Sequence, residues 1–343
     1  MPKASRRIHF AKGDIVQVLS EQEILETLDQ NGCFEAVPFM PEMLQFCGKE
    51  YRVRGSAHKT CDTVAKKGLS RRLDYAVHLE GVRCTGDHHG GCQASCLIFW
   101  KDVWLRKVTS PARIAHLTTP ANPVASVETL INSAVRFRDS TKPDDTLYRC
   151  QATELRHFTT DLRRWDLQQY LMDLWSGNAS LIALIRALCI SAFNTLQRWR
   201  GGARYPHIQG RVLGKTPKQL LHLEPGELVE VKSKAEILET LDENDRNRGL
   251  SFDREMVRFC GKRMRVRHRI ERIIDEATGK LLRIGSDCIT LDGVICSGEL
   301  NRFCPRAIYP YWREIWLKRV ATEPSELVNI VSAAASEPIA SSK

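Results

Sequence analysis

The sequence predicts a mostly β protein with a helical insert, built as two small barrels joined by an α-helical segment, and three observations carry that expectation. The first is an internal repeat. Gly13-Asp14-Ile15-Val16-Gln17-Val18 returns as Gly226-Glu227-Leu228-Val229-Glu230-Val231, residues 23–29 return unchanged as 236–242, and 46–49 as 259–262, all in one register. After one lost residue, Leu79-Glu80-Gly81-Val82-Arg83-Cys84 pairs with Leu291-Asp292-Gly293-Val294-Ile295-Cys296, Cys92 with Cys304, and Trp100 and Trp104 with Trp312 and Trp316. The second is that each copy reads as short apolar runs broken by Gly turns. The third is a switch to helical periodicity between the copies. So long a period makes paired modules and not a solenoid of short repeats. The boundaries follow: 10–110 and 223–322 for the repeats, 111–215 for the linker and helical segment, and 323–343 for a tail.

Each repeat opens with an alternating strand, Ile15, Val16 and Val18 in the first and Leu228, Val229 and Val231 in the second. Ser20 then stands three residues before Glu23, and Ser233 before Glu236. This is capping-box spacing, and it predicts a short helix. Residues 264–270 and 281–284 flank the Gly-containing stretch 275–280 and read as two strands joined by a turn. Asp292-Gly293 between 288–291 and 294–296 signals a hairpin, since such a turn needs positive φ, and Glu80-Gly81 holds the same place in the first copy. The last strand covers 315–320. Five short strands with one inserted helix make a small barrel.

Between the repeats, 112–123 is a Pro- and Thr-punctuated linker and 139–145 a second break. Helices are expected over 126–135 and 166–175, the latter closed by Ser176-Gly177-Asn178. A third, 181–196, carries the single charge Arg186 and is followed by Arg198, Trp199, Arg200 and Arg204. A bilayer span needs about 20 apolar residues and no central arginine, so a crossing is disfavoured. The expected role is the buried central helix of a small helical domain. The alternative is peripheral membrane contact, with the apolar face on an anionic surface.

The net charge of +10 suits an acidic partner: nucleic acid, an anionic membrane or an acidic protein. The basic N-terminus lacks the apolar run of a secretory signal, so a cytoplasmic location is expected. Twelve cysteines in a reducing compartment are then metal ligands, catalytic thiols or buried apolar residues. Isolated Cys33, Cys150 and Cys189 read as buried.

The repeats diverge at one loop. Cys84-Thr85-Gly86-Asp87-His88-His89-Gly90-Gly91-Cys92-Gln93-Ala94-Ser95-Cys96 offers Cys84, His88 or His89, Cys92 and Cys96 as donors, whereas the second copy has Asn301 for His89 and Ile308 for Cys96. Zinc takes four Cys and His donors tetrahedrally in closed structural sites, so a structural zinc in the first repeat is expected. Buried unmetallated thiols and a reactive or redox centre are the other readings, with Cys61 as a spare ligand. A catalytic zinc would need an open position and a carboxylate base such as Asp87 or Asp102. No phosphate loop, H-E-x-x-H or nucleophile elbow stands out.

The Gly-Asp-x-Val-x-Val opening, the helical insert and the segment from Met43 to Val53 together resemble the SH3-like repeats of mind bomb-type ubiquitin ligases. That resemblance covers about the first forty residues of each copy. It implies an SH3-like barrel that binds peptides, and it carries over no catalytic residue. The whole chain also resembles uncharacterised bacterial proteins of the same tandem organisation, which implies no function. The expected function is a non-enzymatic adaptor or scaffold that binds a peptide or protein partner through two weak grooves acting jointly. One tryptophan of each pair, Trp100 or Trp104 and Trp312 or Trp316, is expected in the core and the other in the groove. One alternative is a nucleic-acid-binding protein tracking phosphates with Arg263, Arg265, Arg267 and Arg269. Another is a metal-dependent enzyme acting on a peptide or sugar intermediate.

Overall fold

The first strand is a run of alternating burial, with Val16 and Val18 inward and Ile15 and Gln17 half-buried, and it becomes the second-last strand of a sheet. In the computed structural model, which describes residues 7–65, 70–108, 125–137, 146–285 and 287–320, this sheet is built from β1 (Ile15–Val18), β2 (Glu50–Ser56), β3 (Ala76–Leu79), β4 (Trp100–Lys101) and β5 (Leu105–Lys107). The second repeat supplies β6 (Leu228–Val231), β7 (Arg263–Arg269), β8 (Cys288–Leu291), β9 (Trp312–Arg313) and β10 (Leu317–Arg319). The orders are β4-β3-β2-β1-β5 and β9-β8-β7-β6-β10, antiparallel throughout. The helices are α1 (Glu21–Leu25), α2 (Val127–Ser133), α3 (Gln168–Trp175), α4 (Leu181–Arg200) and α5 (Lys234–Leu238). The linker 112–123, the break 139–145 and the tail 323–343 lie outside the described residues.

The capping boxes form as the spacing requires. Ser20 accepts from the Glu23 N–H while Glu23 accepts from Ser20, and Ser233 and Glu236 do the same for α5. Each sheet is open: a 3-10 turn, Asp102–Trp104 or Glu314–Trp316, joins its edge strands, which share no ladder. The architecture is mixed, with small antiparallel sheets and helix at 23% and strand at 26%, so the mostly β expectation is corrected on helix content. The Gly81 and Gly293 turns, at φ +73° and +70°, follow β3 and β8 equivalently. No hairpin follows either one. Each chain instead runs into a loop closed on itself, by Cys84 N–H to Cys96 O at 2.9 Å and Cys296 N–H to Ile308 O at 2.8 Å. The strand pairing expected for 281–284 is also corrected, because Leu281–Arg283 pairs with Arg272–Ile274 and not with β7.

All four repeat tryptophans are 0% exposed, so none lines a groove, and the groove-anchor expectation is corrected. Phe39 packs edge-on against Trp100 and Trp104 with centroids 6.1 and 5.2 Å away, and Phe252 does so against Trp312 and Trp316 at 6.1 and 5.3 Å. Trp104 and Trp316 each donate their indole N–H at 3.0 Å to a threonine of the repeated run, Thr27 and Thr240.

The chain divides into two compact units. One gathers Met1–Ile208 with Ile270–Ser286 and Ile295–Pro310; the other gathers Gln209–Arg269, Asp287–Val294 and Tyr311–Lys343. The helical segment therefore belongs with the first repeat, and two excursions of the second repeat's chain belong there too.

Within that first unit, α3 is inside out. Its buried residues are Gln169 and Asp173, while Leu171 and Trp175 are exposed. Asp173 pairs with buried Lys59 and lies 3.3 Å from His58 Nε2, which also meets Gln169 O at 3.2 Å. Asn178 adds two bonds to the backbone of Ser56, at 2.9 and 2.8 Å. These polar contacts hold the helical segment together with a small apolar cluster of Ala179, Leu184 and Phe303, against which Tyr170 and Leu174 pack. In α4 only Leu184 is buried, and Leu181, Ile182, Ile185, Leu188, Phe193, Leu196 and Trp199 are exposed. The expectation of a buried central helix is corrected. Among the described residues α4 is long and apolar enough to cross a membrane by length and composition.

His78 on β3 is fully buried, its Nδ1–H donates to Ile98 O at 2.8 Å, and burial pushes its pKa down from 6.5 to about 4. Above pH 6.5 both folded and unfolded forms are neutral there. As pH falls from 6.5 towards 4 the unfolded chain takes up the proton first, so stability should drop by about 3 kcal/mol across that window. Urea unfolding at pH 7.5 and pH 4.5 checks this, with His78→Gln expected to flatten the dependence.

Candidate functional site

The Cys84–Cys96 loop is shaped by glycine. Gly86 has φ +81°, and a Cβ there would stand 2.0 Å from Cys92 O; Gly298, its counterpart, would meet Cys304 O at 2.3 Å. Both repeats share this scaffold, and only the first has His89 and Cys96 beside the two cysteines that recur as Cys296 and Cys304. His89 N–H and Gly91 N–H bond to Gly86 O at 2.9 and 3.0 Å, which turns His89 inward and leaves His88 exposed.

Buried His89 has Nδ1 2.6 Å from Glu42 Oε1 and Nε2 3.1 Å from Arg149 O, with Cys84 Sγ 3.9 Å from Nδ1. Glu42 arrives on the 3-10 turn Pro41–Phe46 and also accepts from the His88 backbone N–H at 3.0 Å. A neutral imidazole can donate to only one of two acceptors, so both contacts are satisfied either by a second proton or by a cation at Nδ1. The other carboxylate oxygen, Glu42 Oε2, is buried and without a hydrogen-bond partner. Burial would raise the Glu42 pKa, but the contact with His89 and the His88 N–H outweigh it and hold the carboxyl below its ordinary value. Glu42, Cys84 and His89 lie within 4.8 Å of one another, and this buried set could hold a metal ion.

The expected ligand set is only partly assembled. Tetrahedral zinc at about 2.3 Å from each sulfur brings thiolates to about 3.8 Å from one another. Among the described residues the one close set is Glu42, Cys84 and His89, so Cys92 and Cys96 do not close with Cys84 on such a point, and His88 does not take part. Cys92 and Cys96 instead share with Cys84 and Cys150 the lining of a cavity of about 40 Å³. Burial pushes Cys96 up to about 12 and Cys150 to about 11, so these are neutral thiols in the absence of a bound cation. Of the isolated cysteines, Cys33 is buried as expected and Cys189 is exposed on α4.

Glu42 and Cys150 were not signalled by the sequence. Glu42 recurs as Glu255, so the repeat comparison marks it as structural; Cys150 has no counterpart and stands far from the loop. The other expected residues fall elsewhere. Cys61 N–H donates to Cys304 Sγ at 3.0 Å, and its thiol is pulled down to about 7 by its hydrogen bond to Cys304, with Arg306 adding to the effect. Asp102 is buried and paired with Arg7 at 3.2 Å, and Asp87 is exposed and accepts from Thr85 at 2.6 Å. Along β7, Arg263, Arg267 and Arg269 face Glu230, Asp292 and Glu314 at 3.9, 3.7 and 2.7 Å, and Arg265 donates to Gly226 O at 2.9 Å.

No family model matches the chain, and no curated protein and no solved structure matches it.

Proposed function

We propose that the protein is a non-enzymatic adaptor that docks on an anionic membrane surface through one face of α3 and α4. The observation that carries this reading is the outward stripe of α4. On a helix of 3.6 residues per turn, Leu181, Ile185, Leu188, Ala192, Leu196 and Trp199 fall on one side, widened by Ile182 and Phe193, and these residues are exposed. Trp165 and Leu167 just before α3, and Leu171 and Trp175 on it, are exposed apolar residues of the same unit. Arg163, Arg164, Arg198, Arg200 and Arg204 flank these apolar residues. An apolar face with Trp and Arg at its margins suits the headgroup boundary of anionic lipid. Arg186 stands at the margin of that face, one turn from Ile182, and is paired with Glu299 at 2.5 Å, which supports lying on a bilayer over crossing it.

The two repeats are the adaptor's binding modules in this reading. Their strand order, with a 3-10 turn before the last strand, supports SH3-like peptide binding, and a metal at the Cys84 loop would add its binding energy to the fold of the first. A nucleic-acid role is less well supported, because three of the four β7 arginines face carboxylates of their own unit.

Flotation of the full chain with vesicles tests the reading. Binding to phosphatidylserine-containing vesicles is expected, weakening as salt rises and lost in the Ile182→Asp/Ile185→Asp variant. Absence of binding to these vesicles by the wild type would overturn it.

A further inference from the structure

Four thiols, Cys84 of the close metal set and three that the set does not use, have their own arrangement. Cys84, Cys92, Cys96 and Cys150 line one cavity of about 40 Å³ whose remaining wall is largely apolar, with Met40, Phe99 and Ile274 among its residues. One water needs roughly 10–15 Å³ by this measure, so the space suits a compact inorganic group and no organic cofactor.

One of these sulfurs accepts from the backbone: the Ile274 N–H donates to Cys92 Sγ at 3.3 Å. A neutral thiol is a weak acceptor, whereas a metal-bound thiolate is stabilised by such a donor. The fully buried Arg306 guanidinium also lines the cavity, acts on Cys96 as a positive charge, and is braced by Glu276 at 2.7 Å.

Nuclearity follows from spacing. A single zinc ion would draw its thiolates to about 3.8 Å from one another, but no three of these sulfurs form a set within 4.8 Å. A polynuclear centre divides the thiolates among two or more metal atoms, so no three of them need to converge on one point. We propose that Cys84, Cys92, Cys96 and Cys150 ligate an iron–sulfur cluster in this cavity, with Arg306 as a buried counter-charge. Binding of a cluster carried in on donor thiolates is ligand exchange: each cysteine sulfur forms a bond to iron as the bond from that iron to a donor thiolate breaks, the departing thiolate takes the cysteine's proton, and no electron is transferred. Glu42 and His89 then neighbour the Cys84 thiolate instead of holding a separate ion. The inference does not rest on the membrane reading.

The test is iron, zinc and acid-labile sulfide analysis of the full chain purified without oxygen, before and after reconstitution with ferric and ferrous iron and sulfide, together with Mössbauer spectroscopy. About two or four iron atoms with matching sulfide per chain are expected. Cys92→Ser and Cys150→Ser should each lose at least nine-tenths of the sulfide, and Cys189→Ser, on exposed α4, should keep it. If the first two variants fail to fold, the wild-type Mössbauer spectrum still decides, because only cluster iron gives sulfide-coordinated signals. Stoichiometric zinc without sulfide, protein that stays metal-free after reconstitution, or full sulfide in folded Cys92→Ser and Cys150→Ser would overturn the proposal. Vesicle flotation of the same samples reads the membrane role separately.

Discussion

Replacing Asp173 with alanine is expected to destabilise the first unit by about 3–5 kcal/mol, because it leaves a buried lysine without its partner. Lys59 is 1% exposed and Asp173 0% exposed. Burial lowers the Lys59 pKa, while the charge of Asp173 and its hydrogen bond oppose that loss. The pair also fixes α3, since Asp173 and Gln169 are the residues that helix turns inward. Breaking it should therefore free the segment that presents the apolar face, and vesicle binding should weaken along with stability. The double replacement Lys59→Met/Asp173→Leu should recover most of the loss, as buried pairs often cost about as much to desolvate as they return. Urea unfolding of the single and double variants decides. A single-variant loss below about 1 kcal/mol would show that the pair is not desolvated as described.

Trp104→Ala and Trp316→Ala should each cost about 3–5 kcal/mol, the usual toll for emptying a large aromatic site in a packed core. The two losses should be similar, because each indole meets an equivalent phenylalanine and an equivalent threonine hydroxyl. Thr27→Val and Thr240→Val isolate the hydrogen bond: each leaves a buried indole N–H unpaired, at about 1–3 kcal/mol. Thermal unfolding followed by near-ultraviolet circular dichroism would measure these losses. Near-neutral behaviour of either tryptophan variant would contradict the shared core.

What the sequence made legible was whatever depends on local pattern. The strand openings, both capping boxes, the equivalent Gly81 and Gly293 turns and the helices at 126–135, 166–175 and 181–196 all depend on spacing within a few residues, and they form. Harder to read was anything set by partners distant in the chain. Leu181–Arg200 has the composition of a core helix, yet burial is decided by what packs on it: Leu184 meets Phe303, and most of its large apolar residues stay exposed. The tryptophans were divided between core and groove, because sequence gives no depth; both pairs are core. In the candidate site, the loop donors Cys84, His89, Cys92 and Cys96 were visible as a cluster. Glu42 was concealed by its recurrence as Glu255, and Cys150 by its isolation. Each is brought in by long-range folding that no local motif encodes.

The membrane-docking face is tested most directly by tryptophan quenching, because the seven tryptophans divide cleanly. Trp165, Trp175 and Trp199 are 78%, 63% and 81% exposed, and the four repeat tryptophans 0%. In solution, iodide should quench only the first group. On adding phosphatidylserine-containing vesicles, that fraction should become protected from iodide and open to quenching by brominated lipid chains, with neutral vesicles giving a much smaller change. An iodide-accessible fraction that stays unchanged at saturating anionic vesicles, with no quenching by brominated lipid, would contradict the docking of α3 and α4 on a membrane.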